Sequence, residues 1–211
     1  MSEIIDKTLL YDGLSVPPLV EAAVAQARAA GFPYSCAPNQ GRLLHVLAGG
    51  RTGGVIGETG SGYGVGLAWM VDAVDRDTRL ISVERDPERA AATRALFAEH
   101  DNVTVLCGDW QLIIDHAPFD LLYLDGGGSG KQTSDAPADP SRLLVPGGTV
   151  VLDDFHPPAD GWPLSQPTPV DSLGRDIDAA RRYWFEHPDL LTTECRVHPI
   201  ASALIGMRKG S

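Results

Sequence analysis

Gly54-Val55-Ile56-Gly57-Glu58-Thr59-Gly60-Ser61-Gly62-Tyr63-Gly64 is the stretch that decides the fold. A short apolar run ends in an acid, a loop with glycine at alternate positions follows at once, and Val65 to Val74 then reads as a helix. A glycine-rich turn between strand and helix lets a bound group approach the main chain, because no Cβ blocks it and the helix N-terminus offers free N–H groups.

Outward from this loop the same alternation repeats. Leu80-Ile81-Ser82-Val83-Glu84 is a second strand-like run, and Asp86-Pro87 supplies an N-cap and a first-turn proline for an Ala/Arg/Glu helix to about His100. Val103 to Cys107, Asp120 to Asp125 and Gly148 to Asp153 are the third, fourth and fifth strands, the last introduced by Pro146-Gly147. Such alternation implies a parallel sheet covered by helices on both faces. Upstream, the alanine-rich stretch from Pro17 to Gly31 reads as a helix. Downstream, the proline-rich Pro157 to Pro169 is too irregular for an element and is expected to be a lid loop. Asp171 to Glu186 reads as an amphipathic helix, and Thr192 to His198 with Ser202 to Arg208 as a terminal hairpin.

Composition narrows the function. The 211 residues, 43% of them hydrophobic, suit one α/β domain over 1–211. Its parts are a helical segment over about 1–50, a binding core over about 51–154, and the lid, helix and hairpin over about 155–211. No apolar stretch approaches the roughly 20 residues of a membrane span, and no export leader is read, so a cytoplasmic location is expected. Cys36, Cys107 and Cys195 are odd in number and far apart, which suggests neither a disulfide framework nor a zinc knuckle. A formal net charge of −11 without a basic stripe argues against nucleic acid and for a small-molecule partner. A homodimer is left open.

A dinucleotide loop would read G-x-G-x-x-G, but forward from Gly60 or Gly62 the third glycine is replaced by Val65 or Leu67, which disfavours a nicotinamide oxidoreductase. The pattern that stands, E-x-G-x-G-x-G over Glu58 to Gly64, resembles motif I of the class I S-adenosylmethionine-dependent methyltransferases. The resemblance implies that this loop accommodates the methionine part of the cofactor. It also implies that Glu84, twenty residues past Gly64 and followed by Arg85, holds the ribose hydroxyls. A carboxylate suits a diol because it accepts two O–H bonds. At Cys107-Gly108-Asp109-Trp110, where this family contacts adenine, Gly108 leaves room, Asp109 is able to accept from the exocyclic amine and Trp110 to lie against the ring. The alternative is Asp109 as a helix cap with Trp110 in the core.

Phe119 to Asp125 and Leu144 to Asp154 extend the likeness to the cation-dependent O-methyltransferases of the catechol and caffeoyl-coenzyme A type, as does Asn39 to Leu44 before motif I. The resemblance implies a divalent metal, Mg²⁺ by donor type, on Asp125, Asp153 and Asp154, with Asp154 where the family has Asn. Three carboxylates brought together unpaired would repel one another without a cation. The family's lysine three residues after the first metal Asp is Gly128 here, and Lys131 lies six residues on. Lys131, His156 and Asp125 are therefore the catalytic candidates, His156 being the best-placed imidazole. Gly126 to Lys131 is no phosphate-binding P-loop, since Asp125 and Gln132 stand where that motif needs Gly and Ser or Thr. The expected fold is an α/β, Rossmann-like, doubly wound seven-stranded sheet, mostly parallel, with one antiparallel strand near the C-terminus. The expected function is O-methyl transfer to a small-molecule hydroxyl. The rivals are an NAD-dependent oxidoreductase and a non-catalytic S-adenosylmethionine-binding protein.

Overall fold

A computed structural model describes residues 5–156, 176–199 and 201–210. Its centre is one seven-stranded sheet: β1 (Val55–Thr59), β2 (Arg79–Glu84), β3 (Val103–Cys107), β4 (Phe119–Leu124), β5 (Leu144–Phe155), β6 (Leu190–His198) and β7 (Ala201–Arg208). The order across the sheet is β3-β2-β1-β4-β5-β7-β6. The first five strands pair in parallel, and β7 runs antiparallel to both β5 and β6. This is the expected Rossmann-like sheet with a single reversed strand.

The helices are α1 (Pro18–Ala29), α2 (Pro38–Gly49), α3 (Val65–Ala73), α4 (Pro87–Leu96), α5 (Pro140–Leu143) and α6 (Ile177–Glu186). Successive strand residues feed opposite faces, as the pleat requires. Leu80, Leu121 and Val151 join α1, α2 and α3 in one apolar core, while Ile81, Leu122 and Val150 join α6 in the other. Helix α3 is apolar almost all round because α1 and α2 cover it, and Val65 to Val71 are all buried. Asp86 caps α4 as expected, accepting from the N–H groups of Glu88 and Arg89, but that helix ends at Leu96 rather than near His100.

Helix α2 falls within the expected helical segment over about 1–50 but is not marked off by the sequence as an element of its own. Gly41 interrupts its apolar pattern, and the reason lies in packing: a Cβ there would come within 2.1 Å of the Trp69 indole. Before α1, a 3-10 turn over Lys7–Tyr11 begins at the Asp6 cap. It is held by the Tyr11 hydroxyl, which donates to Cys36 O at 2.8 Å and accepts from Trp69 Nε1 at 3.1 Å. The expected lid, Pro157 to Pro169, and the first residues of the expected helix from Asp171 lie outside the described residues. Among the described residues no helix is long and apolar enough to cross a membrane.

Candidate functional site

The sheet order reverses between β1 and β4, and the crevice beyond the carboxyl ends of such neighbours is where open α/β sheets take ligands. Two cavities open there. One, of about 210 Å³, is lined by Gly60 to Tyr63, Phe32, Tyr34, Glu84, Asp125 and Asp154 among others. The second, of about 580 Å³, is lined by Glu84, Arg85, Gly108, Asp109, Trp110 and Gly127 among others. Gly60, Glu84, Arg89 and Gly126 border both.

The glycine loop is shaped by close approach. Gly60, at φ +85°, would put a Cβ 2.6 Å from the Gly126 nitrogen, so the turns after β1 and β4 touch main chain to main chain. Thr59 Oγ1 donates to Gly127 O at 2.8 Å and ties the same two turns. Gly64, also at φ +85°, packs against Thr93 of α4 and Phe97 just past its end, and starts α3. Thr59 and Gly64 thus border neither cavity and shape the loop from behind.

Glu58 also lies behind the loop, 1% exposed, where Ser82 Oγ donates to its Oε2 at 2.5 Å and a second short contact links Ser82 to Ser61. Burial pushes its carboxyl up to about 8; the Ser82 hydrogen bond works against this, and the charges of Glu84 and Asp153 add to it. It is a buried loop support here, not the cavity-lining group expected of it.

Glu84 does border both cavities, but it is 4% exposed and already engaged. One oxygen accepts from Gly62 N at 2.9 Å; the other accepts from Asp86 N at 2.8 Å and from Arg89 Nε and Nη2 at 3.2 and 2.9 Å. Glu84 is therefore part of the fold's own hydrogen bonding as well as of the cavity wall. Asp109 is the helix cap of the second alternative, and Trp110 is half-buried rather than in the core. Asp109 caps a 3-10 turn by accepting from Gln111 N, Trp110 Nε1 donates to Asp135, and both line the larger cavity.

Asp125, Asp153 and Asp154 converge, each offering an oxygen within 4.8 Å of the others. Consecutive strand residues ordinarily face opposite ways. Here the pairing register of β5 with β7 shifts between Leu152 and Phe155, and Asp154 takes φ 50°, the left-handed region unusual for an aspartate. Tyr123 Oη donates to Asp153 at 3.3 Å. Burial, together with the charge and hydrogen bond of Asp153, holds Asp125 well above the usual carboxylate range, against the pull of Lys7. An all-oxygen set at this separation fits a hard divalent cation.

The cluster is not unpaired, however, which corrects the expectation of naked repulsion. Lys131 Nζ donates to Asp153 O at 2.7 Å and lies 3.4 Å from its Oδ1, beneath the Phe155 ring. Lys7 Nζ donates to Asp154 Oδ1 at 2.8 Å. Burial disfavours the Lys7 ammonium, but Asp154, Asp153 and Asp125 outweigh it and raise its pKa above the ordinary lysine value. His156 is exposed, borders neither cavity, and offers its carbonyl to Arg181; as the best-placed imidazole it is corrected.

Sequence reasoning missed Lys7, Arg89 and the aromatic wall of Phe32 and Tyr34. Arg89 carried a usable signal, since an Arg in the first turn after a strand-end acid is placed to pair with it; Lys7 carried none.

Comparison with known proteins agrees with this geometry. Residues 58–155 match a family model described as a methyltransferase domain. A catechol O-methyltransferase of Niastella koreensis is 32% identical over 114 residues, 49% of this chain and 52% of that protein. A Mycobacterium tuberculosis protein named as an O-methyltransferase is 29% identical over 122 residues, 54% of each chain. The chain thus spans about half the length of the curated relatives it matches. The O-methyltransferase TomG of Streptomyces achromogenes, solved with S-adenosylmethionine, superposes with a TM-score of 0.74 at 20% identity over 97% of this chain and 96% of that one. An O-methyltransferase of Bacillus cereus, solved with S-adenosylhomocysteine, gives 0.73 at 18% over the same shares. Residues 58–155 thus resemble a methyltransferase domain, and the chain shares its fold with these two solved O-methyltransferases.

Proposed function

We propose that this chain transfers the methyl group of S-adenosylmethionine to a hydroxyl oxygen of a small molecule, with a divalent cation, most suitably Mg²⁺, held by Asp125, Asp153 and Asp154. One observation carries the reading: the glycine loop and two of the three carboxylates border the same cavity of about 210 Å³. A methyl donor lying along Gly60 to Tyr63 then faces an acceptor oxygen held on the acidic side. The named O-methyltransferase relatives support the same chemistry.

In the proposed reaction the acceptor oxygen attacks the sulfonium methyl, a C–O bond forms, the C–S bond breaks with its electron pair returning to sulfur, and the hydroxyl proton departs. The leaving group is already activated, so the chain's task is to position and to handle one proton. The Gly60 and Gly126 turns let the methionine part lie against main chain. Glu84, still holding Gly62, accepts from the ribose hydroxyls, and Gly108, Asp109 and Trp110 border the adenine side with Arg85. A bound dication would lower the pKa of the acceptor hydroxyl and fix its oxygen. Lys131 holds Asp153 by its main-chain and side-chain oxygens, which makes it a positioning residue, and the hydroxyl proton passes to solvent.

The test is incubation of the protein with isotopically labelled S-adenosylmethionine and a mixture of hydroxylated metabolites, read by mass spectrometry with and without chelator. Label on an oxygen, lost in chelator and restored by Mg²⁺, is expected. Cofactor binding without transfer to any acceptor would favour a binding protein, and binding of NAD(H) but not of S-adenosylhomocysteine would overturn the assignment.

A further inference from the structure

The acidic cluster already carries a cation, supplied from the far end of the chain. Lys7 lies 147 residues before Asp154, yet its ammonium sits 2.8 Å from the carboxylate. Its main chain has no freedom to drift. Lys7 N donates to Pro33 O at 2.9 Å, Thr8 is fully buried, Arg28 donates to Thr8 O at 2.7 Å, and Tyr11 is locked to Cys36 and Trp69. The backbone is therefore a fixed post, and the four-carbon side chain is the only part able to move.

The two lysines at the cluster differ in how they are held. The Lys131 side chain is 7% exposed and bound to both a main-chain and a side-chain oxygen of Asp153. The Lys7 side chain is 23% exposed and, among the described residues, makes its hydrogen bond to Asp154 Oδ1 alone. Charge counting then separates them. With all three carboxylates ionised, the state in which they would coordinate a metal, three negative charges against two ammoniums leave one negative charge. A dication entering with both ammoniums in place would leave one positive charge, whereas with Lys7 swung out the cluster is neutral. An ammonium 2.8 Å from one of these oxygens also sets its positive charge directly against a cation that has to lie closer still. Lys7 is the ammonium able to leave, and solvent is there to receive it.

We propose that Lys7 is a tethered counter-ion of the Asp125–Asp153–Asp154 cluster, occupying Asp154 when metal is absent and displaced into solvent when a divalent cation binds. It thereby sets the metal affinity of the site. This rests on the cation-site reading above. Lys7 is a positioning residue in this scheme, and the N-terminal turn is a built-in competitor that keeps the cluster folded and paired between metal-bound states.

The test is calorimetric titration of the full chain with Mn²⁺ and with Mg²⁺, which needs no acceptor and no turnover. Lys7→Met, which keeps the length of the side chain and removes its charge, is expected to bind the metal about ten times tighter or more than the wild type, since no ammonium has to be displaced. Lys7→Arg, which restores a cation, is expected to return close to wild-type affinity. S-adenosylhomocysteine binding in the same samples verifies that each variant is folded, and Lys7→Gln replaces Lys7→Met if the latter fails this check. Unchanged or weaker metal binding in the uncharged variant would overturn the tether. Asp125→Asn separates the two readings. If it abolishes metal binding while Lys7→Met brings no gain, the tether alone falls; if it leaves metal binding untouched, the cation site falls with it.

Discussion

The carboxylate of Glu84 accepts a hydrogen bond from the main-chain N–H of Gly62 at 2.9 Å, so the acid at the end of β2 and the loop at the end of β1 are one unit. Glu84→Ala is accordingly expected to act twice. It removes an acceptor for the ribose and releases the loop, weakening S-adenosylhomocysteine binding by about 1.5–3 kcal/mol, roughly ten- to a hundredfold in the dissociation constant. It also frees Arg89, so Tm should fall as well. Calorimetry and a melting curve check the two effects, and an unchanged dissociation constant would reduce Glu84 to a loop brace.

Gly60→Ala should damage the same loop by a different route. At φ +85° a side chain is strained, and its Cβ would lie 2.6 Å from the Gly126 nitrogen, a main-chain atom with no rotamer to escape into. A loss of about 1–3 kcal/mol of stability with no measurable cofactor binding is expected. Gly210→Ala, with nothing within 4 Å of the added Cβ, is the control. Wild-type melting and binding in Gly60→Ala would contradict the main-chain contact.

Glu58 gives a pH signature. With its carboxyl at about 8 in the fold against an ordinary 4.5, the native chain retains a proton that the unfolded chain has lost between those values. The associated stability is therefore present below the unfolded value and disappears as pH rises through the folded one, an effect on the order of a few kcal/mol. Urea midpoints measured across that window should fall for the wild type and fall less for Glu58→Gln, which is neutral throughout. Parallel curves for the two proteins would show that Glu58 is ionised in the fold at neutral pH.

Removal of metal should abolish turnover without emptying the cofactor site. Asp125→Ala is expected to match the chelator in this respect, with S-adenosylhomocysteine still bound, because the loop contacts of Gly60 to Tyr63 and Glu84 remain. Full activity in chelator would take the metal out of the reaction.

The sheet was legible because each strand carries its own local marks: an apolar run, a terminal acid, a glycine or a proline after it. Asp86-Pro87 and the glycine loop are equally local, and each stands where expected. Helix α2 was not legible, because the glycine inside it is required by an indole from another helix, a fact of packing rather than of pattern. Lys131 was seen but not placed, since an offset of six from Asp125 reaches Asp153 only through the shape of the Gly126 to Gly130 turn. Lys7 was out of reach, because nothing near it in sequence speaks of an aspartate 147 residues away.

The last of the seven strands in sequence is not the strand at the edge: β7 lies between β5 and β6. During synthesis β6 therefore emerges before there is anything for it to pair with, and β5 waits with an open flank beside the bulge that carries Asp153 and Asp154. Interruption of the chain ahead of Ala201 would cost the sheet two strands rather than one and leave a raw edge next to the carboxylate cluster. Such an edge is a template for pairing with another chain, so early termination here leads to aggregation before it leads to a merely inactive protein.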